Sequence, residues 1–147
     1  MSDTVVSTLS TLTTFTAADG ENLAVQDWPL LEGTSRGTVL LVHGLGEHVG
    51  RYDAVARRLN AWGFAVRGYD QYGHGESGGP RGGLTGEMRL LDDLADMVDA
   101  TRARMAAHQP LVLLLLGGGA LAVVPAQYVF DAQCQAYQQL LAALHER

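Results

Sequence analysis

The chain has 147 residues, 47% of them hydrophobic and 18% charged, which suits one globular domain with a sizeable core and excludes a disordered chain. Its formal net charge of −6 argues against nucleic acid as a partner, because phosphate binding needs clustered basic residues and Arg102 with Arg104 is too small a cluster.

The first 30 residues are threonine-rich, with no basic segment leading into an apolar one, so no secretory leader is expected. Residues 7–15 alternate threonine with leucine or phenylalanine, the period of a half-buried strand. Asp19-Gly20 supplies turn chemistry, and residues 23–28 read as the returning strand, ended by Pro29 and the loop 32–37. Residues 38–42 are continuously apolar, as in a parallel strand covered on both faces. A helix is predicted over 51–62, with Tyr52, Val55, Ala56, Leu59 and Trp62 on its inner face and Gly63 as C-cap. Residues 64–69 form a second inner strand. A long helix over 87–107 turns Leu90, Leu91, Leu94, Val98 and Met105 inward. Its carboxylates Asp92, Asp93, Asp96 and Asp99 are read as a solvated face, because nothing converges with them to bind a metal.

Pro110 precedes a third inner strand, 111–116. From 109 to 130 there is no charged residue, and about 20 apolar residues suffice to span a membrane. Gly117-Gly118-Gly119 and Pro125 break such a helix, so a buried strand, a turn and a short helix are predicted instead. The closing segment 131–147 reads as a helix capped by Asp131, with Tyr137, Leu140, Leu141 and Leu144 sharing a face. Cys134, on that helix, is read as a packing residue; as the single cysteine it excludes an internal disulfide and fits a reducing, cytoplasmic setting. No His-x-x-x-His or Cys-x-x-Cys spacing appears, so no metal or other cofactor is expected. The element order predicts an α/β fold: one domain, a mostly parallel sheet of about five strands, helices on its faces.

Two glycine-punctuated stretches carry the chemistry. His43-Gly44-Leu45-Gly46-Glu47-His48 follows a buried strand directly. Glycines let a backbone N–H turn toward a pocket, where it could stabilise the oxyanion of an acyl-transfer intermediate; taken alone, the stretch reads more readily as a plain strand-to-helix turn. Asp70-Gln71-Tyr72-Gly73-His74-Gly75-Glu76-Ser77 follows the next inner strand. Together with Arg51-Tyr52, these stretches closely resemble the monoacylglycerol lipase, or serine aminopeptidase-like, group of α/β-hydrolases. In that group the turn reads His-Gly-x-Gly-Glu-His and the loop Asp-x-x-Gly-His-Gly-x-Ser. The resemblance runs from about residue 15 to 114, with 115–147 a divergent tail. It implies that the backbone N–H of Leu45 is the oxyanion donor and that His43, Gly44 and Gly46 shape the turn. It also implies that Asp70, Gly73, His74, Gly75 and Ser77 organise the loop beside the pocket. Implied substrates are monoacylglycerols, lysophospholipids or similar carboxylic esters, met at a membrane surface where they are lipids.

The same resemblance calls for a Gly-x-Ser-x-Gly elbow between the third inner strand and a helix. Aligning that strand places Gly117 where the serine belongs, and no serine occurs from 78 to 147. Glycine can form no acyl-enzyme. Only 28 residues follow Gly119 (147 − 119), too few for the half of the sheet that carries the acid and base. Asp131 and His145, 14 apart on one predicted helix, lie about 21 Å apart along its axis and cannot pair. The expectation is therefore a partial hydrolase domain without a catalytic triad and with little or no hydrolysis. Two further readings stand beside it. One is a non-catalytic assembly module, self-associating through strand 111–116 as an open sheet edge. The other is a shortened or frameshifted product, because the motif letters stop near Leu114.

Overall fold

The computed structural model describes residues 10–30, 33–83, 88–117 and 120–125. It contains β1 (Thr11–Thr16), β2 (Asn22–Trp28), β3 (Thr38–Val42), a 3-10 turn (Val49–Tyr52), α1 (Asp53–Ala61) and β4 (Ala65–Tyr69). These are followed by α2 (Arg89–Arg102), β5 (Leu111–Gly117) and β6 (Ala120–Pro125). The six strands form one sheet in the order β1-β2-β4-β3-β5-β6. Only β4–β3 and β3–β5 are parallel; β1–β2, β2–β4 and β5–β6 are antiparallel. The sheet is thus mixed rather than mostly parallel, and has one strand more than expected.

Alternation along the inner strands divides the core in two. Leu40, Val42, Leu111, Leu113 and Leu115 pack with Leu91, Leu94, Met97 and Val98 of α2. Val39, Leu41, Val66 and Leu114 face the other way, onto Val49 and Ala56, with Tyr52 and Leu59 half-buried beside them. Each fully buried leucine contributes about 2–3 kcal/mol, so both faces of β3 anchor a layer. One α1 expectation fails: Val55 and Trp62 lie exposed, Trp62 at 57%. Ala56 is the residue of α1 that faces the sheet squarely, and Val55 and Trp62 lie about 100–120° round the helix from it, at the solvent edge of the apolar stripe. α2 is shorter than the predicted 87–107, and Asp93 is not on a solvated face. Asp93 accepts from Arg89 Nε at 2.8 Å, with burial pushing its carboxyl up from the ordinary range.

After β5 the chain makes a second strand where a turn and short helix were expected. Val112 pairs with Pro125 and Gly117 with Ala120. Val123 and Val124 favour an extended backbone, and the ladder satisfies the outer N–H and C=O groups of β5. Strand 111–116 therefore lies between β3 and β6, and is not the sheet edge it was expected to be. The predicted helix 131–147, with Asp131, Cys134 and His145, lies outside the described residues. Among the described residues no helix is long and apolar enough to cross a membrane, and no cluster of His, Cys, Asp or Glu could hold a metal ion.

Candidate active site

Parallel β3 and β4 end side by side, Val42 beside Tyr69, so the segments that follow them emerge together at one end of the sheet. The 3-10 turn can lie against β4 because residue 68 is glycine; a Cβ there would sit 2.2 Å from Val49 Cγ2. Asp70 then staples the two segments. Its buried carboxylate accepts from the Val49 N–H at 2.7 Å and from the Glu76 N–H at 2.9 Å. Gly75, at φ +49°, leaves room for it: a Cβ would stand 2.2 Å from Asp70 Oδ2. Ser77 is also consumed by structure. Its hydroxyl donates to the Asp70 carbonyl and accepts from the Ala24 N–H at 2.8 Å, tying the loop to β2.

Neighbours assign a donor and an acceptor role to the ring nitrogens of both histidines. His43 Nδ1–H donates to the Gly44 carbonyl at 2.7 Å, and its Nε2 accepts from the Gln71 N–H at 2.8 Å. Burial, the largest influence, pushes the His43 imidazole below its ordinary value. His74 Nδ1–H donates to the Tyr72 carbonyl at 2.9 Å, and its Nε2 accepts from the Gly46 N–H at 3.0 Å. The rings stand 5.3 Å apart, tilted by 53°. A general base needs a free lone pair within reach of the proton it takes, and each of these lone pairs already accepts an amide.

The turn itself is organised by Glu47. Its carboxylate accepts from the Gly44 N–H at 2.9 Å, from Tyr52 Oη at 2.5 Å and from Arg51 Nη1 at 3.2 Å. The Tyr52 bond, more than any other influence, holds the Glu47 carboxyl below its usual range; burial and that same bond push the Tyr52 phenol up to about 12. Three successive amides are thus distinguished. Gly44 donates to Glu47, Gly46 donates to His74, and Leu45 between them donates to no group among the described residues. The Leu45 side chain is 79% exposed.

A depression of about 420 Å³ opens between the two segments, lined among others by Leu45, Gly46, Gly73, His74 and Arg81. None of its lining residues carries a hydroxyl or thiol. Gly117 lies at the same end of the sheet, two residues beyond Leu115, which pairs with Val42. It closes the β5–β6 ladder opposite Ala120 instead of starting a strand-to-helix elbow. The structure thus gathers His43, Gly44, Leu45, Gly46, Asp70, Gly73, His74, Gly75 and Ser77 into two adjoining segments. Sequence reasoning gave no role to Glu47, Gln71 or Arg81. Arg81 laces the loop by donating to the carbonyls of Gly75 at 2.6 Å, Gly79 at 3.0 Å and Ser77. Nothing in its Pro-Arg-Gly setting signals that role. The signal for Glu47 is its place three residues after a turn glycine, with Tyr52 five further on.

The model of the serine aminopeptidase (S33) family matches residues 33–143, three-quarters of the chain and past the point where the motif letters stop. The chain belongs to the serine aminopeptidase (S33) family. Its similarity to individual members is consistent with that. It is 38% identical over 95 residues to the monoacylglycerol lipase of Mycolicibacterium smegmatis, covering 63% of this chain and 34% of the relative. It is 34% identical over 112 residues to the human monoglyceride lipase, covering 74% and 36%. Among solved structures, a soluble variant of the Saccharomyces cerevisiae monoglyceride lipase superposes with TM-score 0.65 at 28% identity, covering 74% of this chain and 36% of that one. A carboxyl esterase from Bacillus coagulans superposes with TM-score 0.62 at 25% identity, covering 71% and 35%. The chain spans about a third of the length of these relatives. As a family member it carries the α/β-hydrolase fold and a monoglyceride lipase- or esterase-like lineage.

Proposed function

We propose that this chain supplies the oxyanion side of a carboxylic-ester site and does not itself complete ester hydrolysis. The observation that carries the reading is the Leu45 amide, left undonated between two committed neighbours at the rim of a depression. Such an N–H, fixed before substrate arrives, stabilises a developing oxyanion at no cost of reorganisation. The substrate class is that of the relatives' names, monoacylglycerols and other carboxylic esters. Against turnover stand glycine at 117 and a depression lining without a nucleophile. Loss of a serine hydrolase triad removes on the order of a million-fold in turnover.

The test is the purified chain with a short-chain aryl ester and a fluorophosphonate. No fluorophosphonate-sensitive turnover is expected, while the ester shifts the Leu45 amide resonance. Robust, inhibitable turnover would overturn the reading. A second reading, self-association, is favoured by the position of β6, the last strand of the described sheet on that side. It predicts a dimer in sedimentation at micromolar concentration, and a stable monomer would dismiss it.

A further inference from the structure

A second cavity, of about 140 Å³, lies at the opposite end of the sheet, where Thr38 begins β3. Asp27, Arg67, Thr101, Arg104 and Met105 also line it. About 10–15 Å³ of such cavity volume suffices for one water, so it has room for waters or one compact ion. Two guanidiniums converge there on a single carboxylate. Arg67 donates Nε to Asp27 Oδ1 at 2.8 Å and Nη2 to Oδ2 at 3.2 Å, and Arg104 Nη1 donates to the same Oδ2 at 3.2 Å. One negative charge faces two positive ones in a chain whose overall charge is −6.

We propose that this cavity is a binding site for a compact oxyanion, a phosphate or a small carboxylate. The Arg67 side chain is nine-tenths buried as a whole, while its Nη1 makes no hydrogen bond among the described residues and stays open to solvent at the cavity. The Thr38 hydroxyl likewise makes no hydrogen bond among the described residues and stays open to solvent, although the residue as a whole is buried. Thr101 faces inward but donates its own hydroxyl to the Met97 carbonyl. Arg104 is 61% exposed along its side chain, so its single bond to Asp27 exchanges readily for a bound anion. The planar fork of arginine suits oxyanions in particular. The carbonyl end of α2 opposes an anion here. It is blunted because the amides of Ala103, Arg104 and Met105 already donate to Asp99, Thr101 and Arg102. The site requires no catalysis and does not depend on the reading of the Leu45 depression.

The experiment titrates inorganic phosphate, and separately acetate, into the full chain at constant ionic strength and pH 7. Thermal stability and the arginine side-chain N–H resonances are followed. A saturable response to either ion is expected, reaching the Arg67 and Arg104 resonances, with the more potent ion naming the source. Arg104→Ala should weaken it at least tenfold and Arg104→Lys less. Arg102→Ala, at the end of α2 and outside the cavity, should leave it unchanged. A response that does not saturate, or one that Arg104→Ala leaves intact, would overturn the proposal.

Discussion

Replacing Asp70 with asparagine keeps the shape of the side chain and removes its charge. In the native structure both carboxylate oxygens accept a backbone N–H, from Val49 at 2.7 Å and from Glu76 at 2.9 Å, in a buried site. An amide can satisfy one of those donors; its NH2 group must then face the other. A hydrogen bond to a charged group contributes about 1.5–3 kcal/mol, and an unsatisfied buried donor costs about 1–3 kcal/mol. Asp70→Asn should therefore destabilise the fold by roughly 2–4 kcal/mol. In equilibrium urea unfolding, with a slope near 2 kcal/mol/M, the midpoint should fall by about 1–2 M. Amide exchange should accelerate first at Val49 and Glu76, before the core strands. A variant within about 0.5 kcal/mol of the native chain would show that the two segments are held by something other than this carboxylate.

Burial holds His43 below its ordinary value and in its neutral form, so stability should be full above the unfolded-state value near 6.5 and lost as pH falls below it. Urea midpoints at pH 7.5 and 5.5 test this, and a profile unchanged by His43→Gln would refute it. Gly75→Ala, at φ +49° with its Cβ driven into Asp70, should cost several-fold more stability than Gly46→Ala. Gly46 has φ +74° with open space beyond it, so alanine there should cost only about 1–2 kcal/mol; equal melting shifts would contradict that steric account. Gly117→Ser should remain unlabelled by fluorophosphonate, because residue 117 lies in a strand ladder and neither His43 nor His74 has a lone pair to spare. Stoichiometric labelling would mean that the β5–β6 turn can re-form as an elbow.

The inner strands were legible because burial on both faces writes continuous apolar runs, and both site segments because their glycines mark positions where the backbone must bend or approach closely. Gly63, at φ +93°, ended α1 as its letter suggested. β6 was not legible: Ala120–Pro125 is short and apolar, and periodicity cannot separate such a run from a buried helix. Only Val123-Val124 after three glycines hinted at a hairpin. The inward-facing set of α1 was drawn too wide, because spacing marks an apolar stripe but not how much of its width the sheet covers: Ala56 is buried, while Val55, about 100° round the helix from it, is exposed. The histidines were visible as letters, but their spent lone pairs follow from Gln71 and Gly46, residues contributed by the opposite segment.

The central position of β3 has a consequence for how the chain assembles. Its neighbour β4 starts 27 residues later (65 − 38), whereas β5 starts 73 residues later (111 − 38). Pairing with β4 closes a short segment, while pairing with β5 must wait for α2 and the loop before it to be made. During synthesis, β1 to β4 can therefore zip while the backbone edge of β3 that later pairs with β5 stays bare. The β5–β6 hairpin is the latch that shields this flank. Slow synthesis between residues 70 and 111 prolongs the interval in which two nascent copies can stick together.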